Sequence, residues 1–222
     1  MQDPGNGRGM SHMQSSDGKF RRFTNLAAAI HILQKREITL LPPDSWDDRN
    51  DRHFMDVYKK KKKLKTLTAI CLSQAPEIYH HWRVFSPNAD GVCLLLDPVK
   101  LLKAFDGQQG VRHRAVHYEE IERLPHLKPP IDDLPFIKRY PYEPESEYRI
   151  LYEDADRKAE FRSFPLLPGT IEAVILSPWM PSALVGSVRE LLKKIDGAAR
   201  IPMCASTLIS NQAWQKVADR AQ

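Results

Sequence analysis

The most regular alternation of polar and apolar side chains lies at residues 138–152 and predicts a strand. Because side chains alternate between the two faces of a strand, one face carries Glu143, Glu145, Glu147 and Arg149, at least from Glu145 onward, where Pro144 no longer interrupts the ladder. The other face carries Ser146, Tyr148, Ile150 and Tyr152. The acidic face carries carboxylates about 7 Å apart, which repel by roughly 2 kcal/mol at an effective dielectric constant of about 20. We therefore expect one glutamate to have a raised pKa and Arg149 to hold another ionised.

The acidic face also has a purely structural explanation. Edge strands often carry charges that block aggregation, and a solvated acidic row needs no chemistry. The two interpretations differ in whether a hollow lies in front of the carboxylates, and the alternation alone supports both.

The remaining apolar runs predict strands and helices mixed without regular alternation, which indicates an α+β fold. The strands are expected at residues 20–24, 37–41, 66–73, 91–97, 114–118, 171–176 and 201–204. The helices are expected at residues 25–36 (capped by Thr24), 53–64, 98–105 and 181–195, with one more beginning at Pro76 and a short one around Trp214. Residues 154–168 are expected to form a polar hairpin loop.

The chain has 222 residues, of which 42% are hydrophobic and 27% are charged. These values fit one globular domain with a sizeable core, which we place at residues 19–222. Residues 1–18 show no periodicity, and Gln2-Asp3-Pro4 and Ser11-His12-Met13 resemble cloning-site sequence. We expect this segment to be a cloning remnant and a disordered tail.

The three cysteines, Cys71, Cys93 and Cys204, are far apart, odd in number and each set in an apolar run. Buried free thiols are therefore expected, together with a reducing, cytoplasmic compartment. No apolar run is long enough to span a bilayer and no signal peptide is visible, so no membrane partner is expected.

Charge adds two further candidates. The net charge is +5 with a pI of about 9.1, and part of the excess lies in residues 59–65, which contain six lysines. Such a run is typical of a solvated helix face, and contact with a phosphate backbone is the alternative. Asp47, Asp48 and Asp51 fit turn bonding in a loop, or magnesium binding together with Glu145 and Glu147. No spacing matches a zinc motif, so we expect no metal in the favoured interpretation.

Six motifs in order resemble an uncharacterised bacterial domain-of-unknown-function family associated with defence. Its pattern is Tyr/Phe-Arg-Tyr, Phe-Asn-Asp-Pro-Phe-Asp, Ser-Phe-Ser, Trp-x-x-Tyr, Gly-Val-x-Ile and Glu-x-Glu-x-Arg. The corresponding segments here are Arg22-Phe23, Trp46-Asp47-Asp48-Arg49-Asn50-Asp51, Cys71-Leu72-Ser73, Trp82-Arg83-Val84-Phe85, Gly91-Val92-Cys93-Leu94 and Glu145-Ser146-Glu147-Tyr148-Arg149. The family implies no established activity.

A looser resemblance is to ADP-ribosyltransferases of the Arg-Ser-Glu type, on Arg22, Ser73 and Glu145-x-Glu147 in that order. It implies mixed, mostly antiparallel sheets split around a cleft with flanking helices. It also implies NAD as the substrate, with Arg22 on the pyrophosphate and Ser73 at the nicotinamide-side ribose. Arg149 is expected among the cofactor-binding residues as well, although it is a feature of the first family and not of the transferases. Glu147 would stabilise the oxocarbenium-like cation, and Glu145 would orient or deprotonate the acceptor.

Two departures qualify the second resemblance. Ser73 stands in Leu-Ser-Gln rather than the Ser-Thr-Ser/Gln triplet, and Arg21 could take the place of Arg22. The resulting hypothesis is an NAD-dependent ADP-ribosyltransferase-like toxin or phage-defence effector, with a nucleic-acid or protein acceptor. The alternatives are a non-enzymatic partner or antitoxin that docks a protein from a defence operon through the acidic face, and a metal-dependent nuclease.

Overall fold

The computed structural model describes residues 17–221, so the expected remnant and tail at residues 1–18 lie outside the described residues except for Asp17 and Gly18. Within residues 17–221 the chain forms eleven strands and six α-helices. The strands are β1 (Phe20–Asn25), β2 (Glu37–Leu40), β3 (Thr66–Ser73), β4 (Gly91–Leu96), β5 (Val111–Ala115), β6 (His117–Glu119), β7 (Ile137–Arg139), β8 (Glu147–Asp154), β9 (Arg162–Pro165), β10 (Ile171–Leu176) and β11 (Met203–Ala205). The helices are α1 (Leu26–Lys35), α2 (Arg49–Lys61), α3 (Tyr79–Phe85), α4 (Pro98–Lys103), α5 (Ser182–Lys193) and α6 (Gln212–Ala218).

Seven strands form one sheet in the order β11-β10-β4-β1-β3-β8-β5. Every neighbouring pair in this sheet is antiparallel except β10 and β11, which run parallel. Two small sheets complete the described part of the chain, an antiparallel one from β2 and β9 and a parallel one from β6 and β7. The prediction of an α+β fold with a mixed, mostly antiparallel sheet is confirmed.

The seven-stranded sheet is almost divided between β1 and β3. Strand β1 pairs with β4 at all six of its positions, whereas its pairing with β3 is the single pair Arg21↔Ser73. Beyond that pair the strands diverge, and the chain after β2 approaches β3 instead, through the bridge Leu41↔Ala69. We call the junction of β1 and β3 the seam. The wedge that opens from it is where the candidate site lies.

Strand β3 is buried at seven of its eight positions, because both of its faces are covered, and it is accordingly rich in apolar and β-branched residues. Its even-numbered residues Ile70 and Leu72 belong to the main core, which also contains Ile32 and Leu33 of α1. The odd-numbered residues of β3 on the opposite face pack with α2, through Met55 and other side chains. Helix α2 is therefore fixed against β3 and β8, and its N-terminus lies at the wedge.

Residues 138–152 do not form the single strand that the alternation predicted. Strand β7 ends at Arg139, a 3₁₀ helix spans Tyr140–Glu145, and β8 begins at Glu147. Pro141 and Pro144 lack the backbone N–H that a strand ladder requires, which explains the interruption. Ser146 separates the two elements with a left-handed backbone conformation, φ 44°.

Three smaller expectations also differ from the structure. Asn25, and not Thr24, caps α1, because its side-chain oxygen accepts from the backbone N–H of Ala28 at 2.9 Å. The expected loop at 154–168 contains β9, whose partner β2 is too distant in sequence for local pattern to reveal the pairing. Of the cysteines, Cys93 is buried and Cys71 half-buried, but Cys204 is exposed on an edge strand. Within residues 17–221 no helix has both the length and the apolar character needed to cross a membrane.

Candidate functional site

A cavity of about 750 Å³ occupies the wedge beside the seam. Its walls come from β1, β3, the loop before α2, α3 and the segment from β7 to β8. Polar side chains in this wall include Arg22, Ser73, Lys138, Glu145 and Glu147, and the ring of Trp46 lies in the same wall. A pocket of this volume accommodates a ligand of cofactor size.

Behind this wall lies a buried cluster of charges centred on Arg149, whose side chain is fully buried. Its guanidinium donates to both oxygens of Glu147, at 2.7 and 3.0 Å, and to both oxygens of Asp51, at 2.9 and 2.7 Å. It also donates to the backbone oxygen of Pro135 at 2.7 Å and lies 4.7 Å from the ring centroid of Trp46. All of its donor groups are engaged, so Arg149 fixes Glu147 from the side away from the cavity.

Glu147 is ionised in this environment. Burial opposes its ionisation, but the charges of Arg149 and Lys138 outweigh burial and lower the pKa of Glu147 to about 2. Burial also raises the pKa of the Cys71 thiol, so Cys71 stays protonated. The result is a permanent negative charge, 5% exposed, in the wall of a cavity.

Glu145 differs from Glu147 in its charge behaviour. Burial raises the pKa of Glu145, and the attraction of Lys138 opposes that shift. The left-handed turn at Ser146 brings Glu145 and Glu147 to one ammonium group, since both accept from Lys138 Nζ. The expectation of one raised pKa and one carboxylate held ionised by Arg149 is confirmed, although Glu145 lies in the 3₁₀ helix and not on the strand.

Arg22 lies at the opening of the wedge. Within residues 17–221 its guanidinium makes one hydrogen bond, to the Cys71 backbone oxygen at 3.3 Å, and no ion pair. That carbonyl belongs to β3 where β1 has already diverged. Burial lowers the pKa of Arg22, a direction that an anion bound beside it would reverse. Arg21, the alternative from the sequence, bonds to Asp17 and to the backbone oxygen of Ala75.

Ser73 borders the cavity, but its hydroxyl already has partners. It donates to the backbone oxygen of Glu145 at 2.8 Å and accepts from the backbone N–H of Ala75 at 3.2 Å. In the sheet, Ser73 pairs with Arg21 of β1 on one side and with Glu147 of β8 on the other. These contacts favour a role in holding the end of β3 and the Glu145 segment together.

The cavity therefore brings together Arg22, Ser73, Glu145 and Glu147 from remote parts of the chain, and places Arg149 behind them rather than in contact with a ligand. The solvated acidic edge is excluded as an explanation for Glu147, since this residue is buried. For the same reason Glu147 does not offer the exposed acidic surface that protein docking would require.

Of the two roles considered for the aspartates before and at the start of α2, local hydrogen bonding is observed and a magnesium site is not found among residues 17–221. Asp48 caps α2, accepting from the backbone N–H groups of Asn50 and Asp51, while Asp47 borders the cavity. Asp51 is engaged by Arg149, so it does not converge with Glu147 on an empty position for a cation. No group of three or more His, Cys, Asp or Glu side chains suited to a metal ion occurs in the described part of the chain.

Sequence reasoning missed two residues of the site, Lys138 and Trp46. Lys138 was assigned to the strand without a role, and its link to the glutamates depends on the turn at Ser146. Trp46 was identified as part of a motif of the first family but was given no role in the site. One signal was present for Lys138, because a lysine in the same short segment as two closely spaced glutamates is a candidate partner for them.

No family model matches the chain, and no curated protein matches it. Three solved structures of DarT from Thermus sp. 2.9 are similar, each at 12% sequence identity. The complex with carba-NAD+ has a TM-score of 0.44 over 86% of this chain and 97% of that chain, and the complex with NAD+ has 0.44 over 86% and 96%. The complex with ADP-ribosylated ssDNA has a TM-score of 0.42 over 85% and 94%. Likenesses of this size assign neither a family nor an activity to the chain.

Proposed function

We propose that the chain is an NAD-dependent ADP-ribosyltransferase whose substrate occupies the cavity at the seam. One observation carries the proposal: the guanidinium of Arg22, which forms no ion pair with any residue from 17 to 221, borders the same cavity as the permanently ionised carboxylate of Glu147. NAD carries a negatively charged diphosphate and a positively charged nicotinamide ring. A pocket that binds it and breaks its glycosidic bond therefore needs a cation for the diphosphate and an anion near the ribose. The permanent planar charge of Arg22 suits the diphosphate.

Glu147 has the properties that the bond-breaking step requires. When the bond between the ribose C1′ and the nicotinamide nitrogen breaks, the electron pair leaves with nicotinamide and positive charge develops on the ribose. A carboxylate that is already ionised and held by Arg149 stabilises that charge without reorganising. The ring of Trp46 provides a flat apolar surface in the same cavity wall as Glu147.

Glu145 suits the second half of the reaction. The acceptor forms a bond to C1′ through its oxygen or nitrogen and loses a proton. Because burial raises the pKa of Glu145, this carboxyl takes up a proton more readily than Glu147 does. The two carboxyl groups thus have separate roles, one electrostatic and one as the base.

The role of Arg22 gives the first test. Arg22→Gln is expected to weaken NAD binding about 10- to 100-fold, which is the value of a lost hydrogen bond between charged groups. Isothermal titration calorimetry of the purified protein with NAD measures the change. Arg36→Gln is the matched control, since Arg36 pairs with Asp196 on the exposed surface and should bind NAD as the wild type does. Equal affinities for Arg22→Gln and wild type would remove the main support for the proposal.

For the acceptor we propose nucleic acid, because of a basic surface formed by two remote segments. The exposed lysines of residues 60–65 meet Arg157 and Lys158, and together we call them the basic surface. The two segments adjoin, since the Lys65 backbone N–H donates to the Asp154 backbone oxygen at 2.9 Å. Side chains add to this contact, because Thr66 Oγ1 donates to the Arg157 backbone oxygen at 2.6 Å and Lys65 Nζ to that of Asp156 at 3.0 Å. Helix α2, with 13 residues, connects this surface to the cavity over about 20 Å.

The basic surface predicts salt-dependent binding of single-stranded DNA. Replacing Lys60, Lys61, Arg157 and Lys158 by glutamine is expected to weaken binding and to reduce the slope of log affinity against log salt concentration by about 2 to 3. Fluorescence anisotropy with a labelled oligonucleotide at several salt concentrations measures both. Glutamine at Lys193 and Lys194, at the C-terminal end of α5 near the other edge of the sheet, is the control. Unchanged affinity and slope would exclude the basic surface as the DNA-binding site. Modification of a protein instead of DNA would exclude nucleic acid as the acceptor.

A further inference from the structure

Lys138 is the one side chain in the cavity wall that touches both carboxylates. Its ammonium donates to Glu145 Oε2 and, at 3.2 Å, to Glu147 Oε2. The Tyr142 ring centroid lies 4.7 Å from the same nitrogen. The side chain is 9% exposed, so these contacts replace water around the ammonium.

The position of Lys138 in the fold is separate from the elements that carry the carboxylates. It lies in the middle of β7, which pairs with β6 outside the seven-stranded sheet. Glu147 begins β8 within that sheet, and Glu145 ends the 3₁₀ helix between them. A single ammonium therefore joins three elements at the point where the cavity wall is formed.

Lys138 and Arg149 act on Glu147 from different directions. Arg149 contacts both oxygens of Glu147 from the buried side and does not touch Glu145. Lys138 contacts only Oε2 of Glu147 and spans to Glu145. Without Lys138, Arg149 would still hold Glu147 from the buried side. The contact that joins the carboxyl groups of Glu145 and Glu147 would be lost.

We propose that Lys138 is a positioning residue that holds Glu145 and Glu147 side by side at the cavity wall for ADP-ribosyl transfer. This inference rests on the proposed function. In the transfer, the C1′–nitrogen bond breaks, the acceptor bonds to C1′, and the proton of the acceptor passes to the Glu145 carboxylate. Lys138 keeps its own proton throughout, since the attraction of the two glutamates outweighs burial and raises its pKa. After the transfer, Lys138 contacts the neutral carboxyl group of Glu145 and the ionised carboxyl group of Glu147.

The test is Lys138→Met, which keeps the length of the side chain and removes its charge. We expect kcat to fall about 100-fold, the cost of misplacing a reacting group by about 1 Å, with little change in KM for NAD because Arg22 is intact. The acid side of the pH–rate profile should move to higher pH, since a carboxylate that loses a neighbouring cation is protonated more easily. Lys138→Arg should recover most of the activity and of the wild-type profile.

Two further measurements distinguish a loss of folding from a loss of positioning, and failure of the role of Lys138 from failure of the proposed function. Lys138→Met/Glu145→Gln removes one positive and one negative charge, so it should fold even where the single variant is unstable. If Lys138 acts by holding the two carboxyl groups together, the double variant should be little less active than Glu145→Gln alone, and a further 100-fold loss would contradict the role. Wild-type kcat and an unshifted profile in folded Lys138→Met would overturn the role of Lys138 and leave the proposed function intact. A wild-type protein that neither binds NAD nor releases nicotinamide would overturn the proposed function itself, and the role of Lys138 with it.

Discussion

Glu147→Gln is expected to lower the rate of nicotinamide release from NAD by about 100- to 1000-fold. Glutamine has nearly the shape of glutamate but no negative charge, so the variant loses the electrostatic stabilisation of the ribose cation. The binding of NAD in the ground state should change little, because the diphosphate contact at Arg22 remains. The rate is measured by chromatographic detection of nicotinamide, and NAD binding by calorimetry.

Glu143→Gln is the matched control for Glu147→Gln. Glu143 lies four residues earlier, in the 3₁₀ helix, and is exposed. It should retain wild-type activity, since a solvated carboxylate outside the cavity wall contributes little to the charge within it. A rate for Glu147→Gln within a few-fold of the wild type would contradict the electrostatic role of Glu147 and favour a purely structural one.

Arg149→Met should have the largest effect on folding. Removing this guanidinium leaves the carboxylates of Glu147 and Asp51 buried without their common partner, which costs about 3 to 5 kcal/mol of the free energy of unfolding. Domains have total stabilities of only about 5 to 15 kcal/mol, so a substantial fraction of the variant should be unfolded near physiological temperature. Urea denaturation followed by circular dichroism gives the difference directly.

Arg114 provides a control of the same residue type. It lies opposite Arg149 in the pairing of β5 with β8, but its side chain is 46% exposed and pairs with Asp133 at the surface. Arg114→Gln is expected to change the free energy of unfolding by less than about 1 kcal/mol. Similar losses in the two variants would show that the buried cluster does not stabilise the fold in the way its hydrogen bonds indicate.

Local pattern was sufficient for the elements whose environment is uniform along their length. Strand β3 was predicted at its observed bounds because a strand buried on both faces forms a run of mostly apolar and β-branched residues. Strand β10 was also predicted at its observed bounds, from its apolar run. By contrast, β9 carries few apolar residues and forms because β2 lies beside it, which the composition of β9 does not indicate.

The candidate site was predictable in part. Arg22, Ser73, Glu145 and Glu147 were identified, and the cavity at the seam brings them together. The position of Arg149 was not, because its burial depends on Asp51, a residue 98 positions earlier whose contact no local spacing encodes. The link between Glu145 and Glu147 was attributed to strand alternation, whereas it arises from a turn that alternation cannot represent.

The single residue pair at the seam has a consequence for local stability. Each half of the sheet is held by continuous ladders, whereas within residues 17–221 the ladder between β1 and β3 is the one pair Arg21↔Ser73. Amide hydrogen exchange should therefore be faster along the diverging edges of β1 and β3 than within either half.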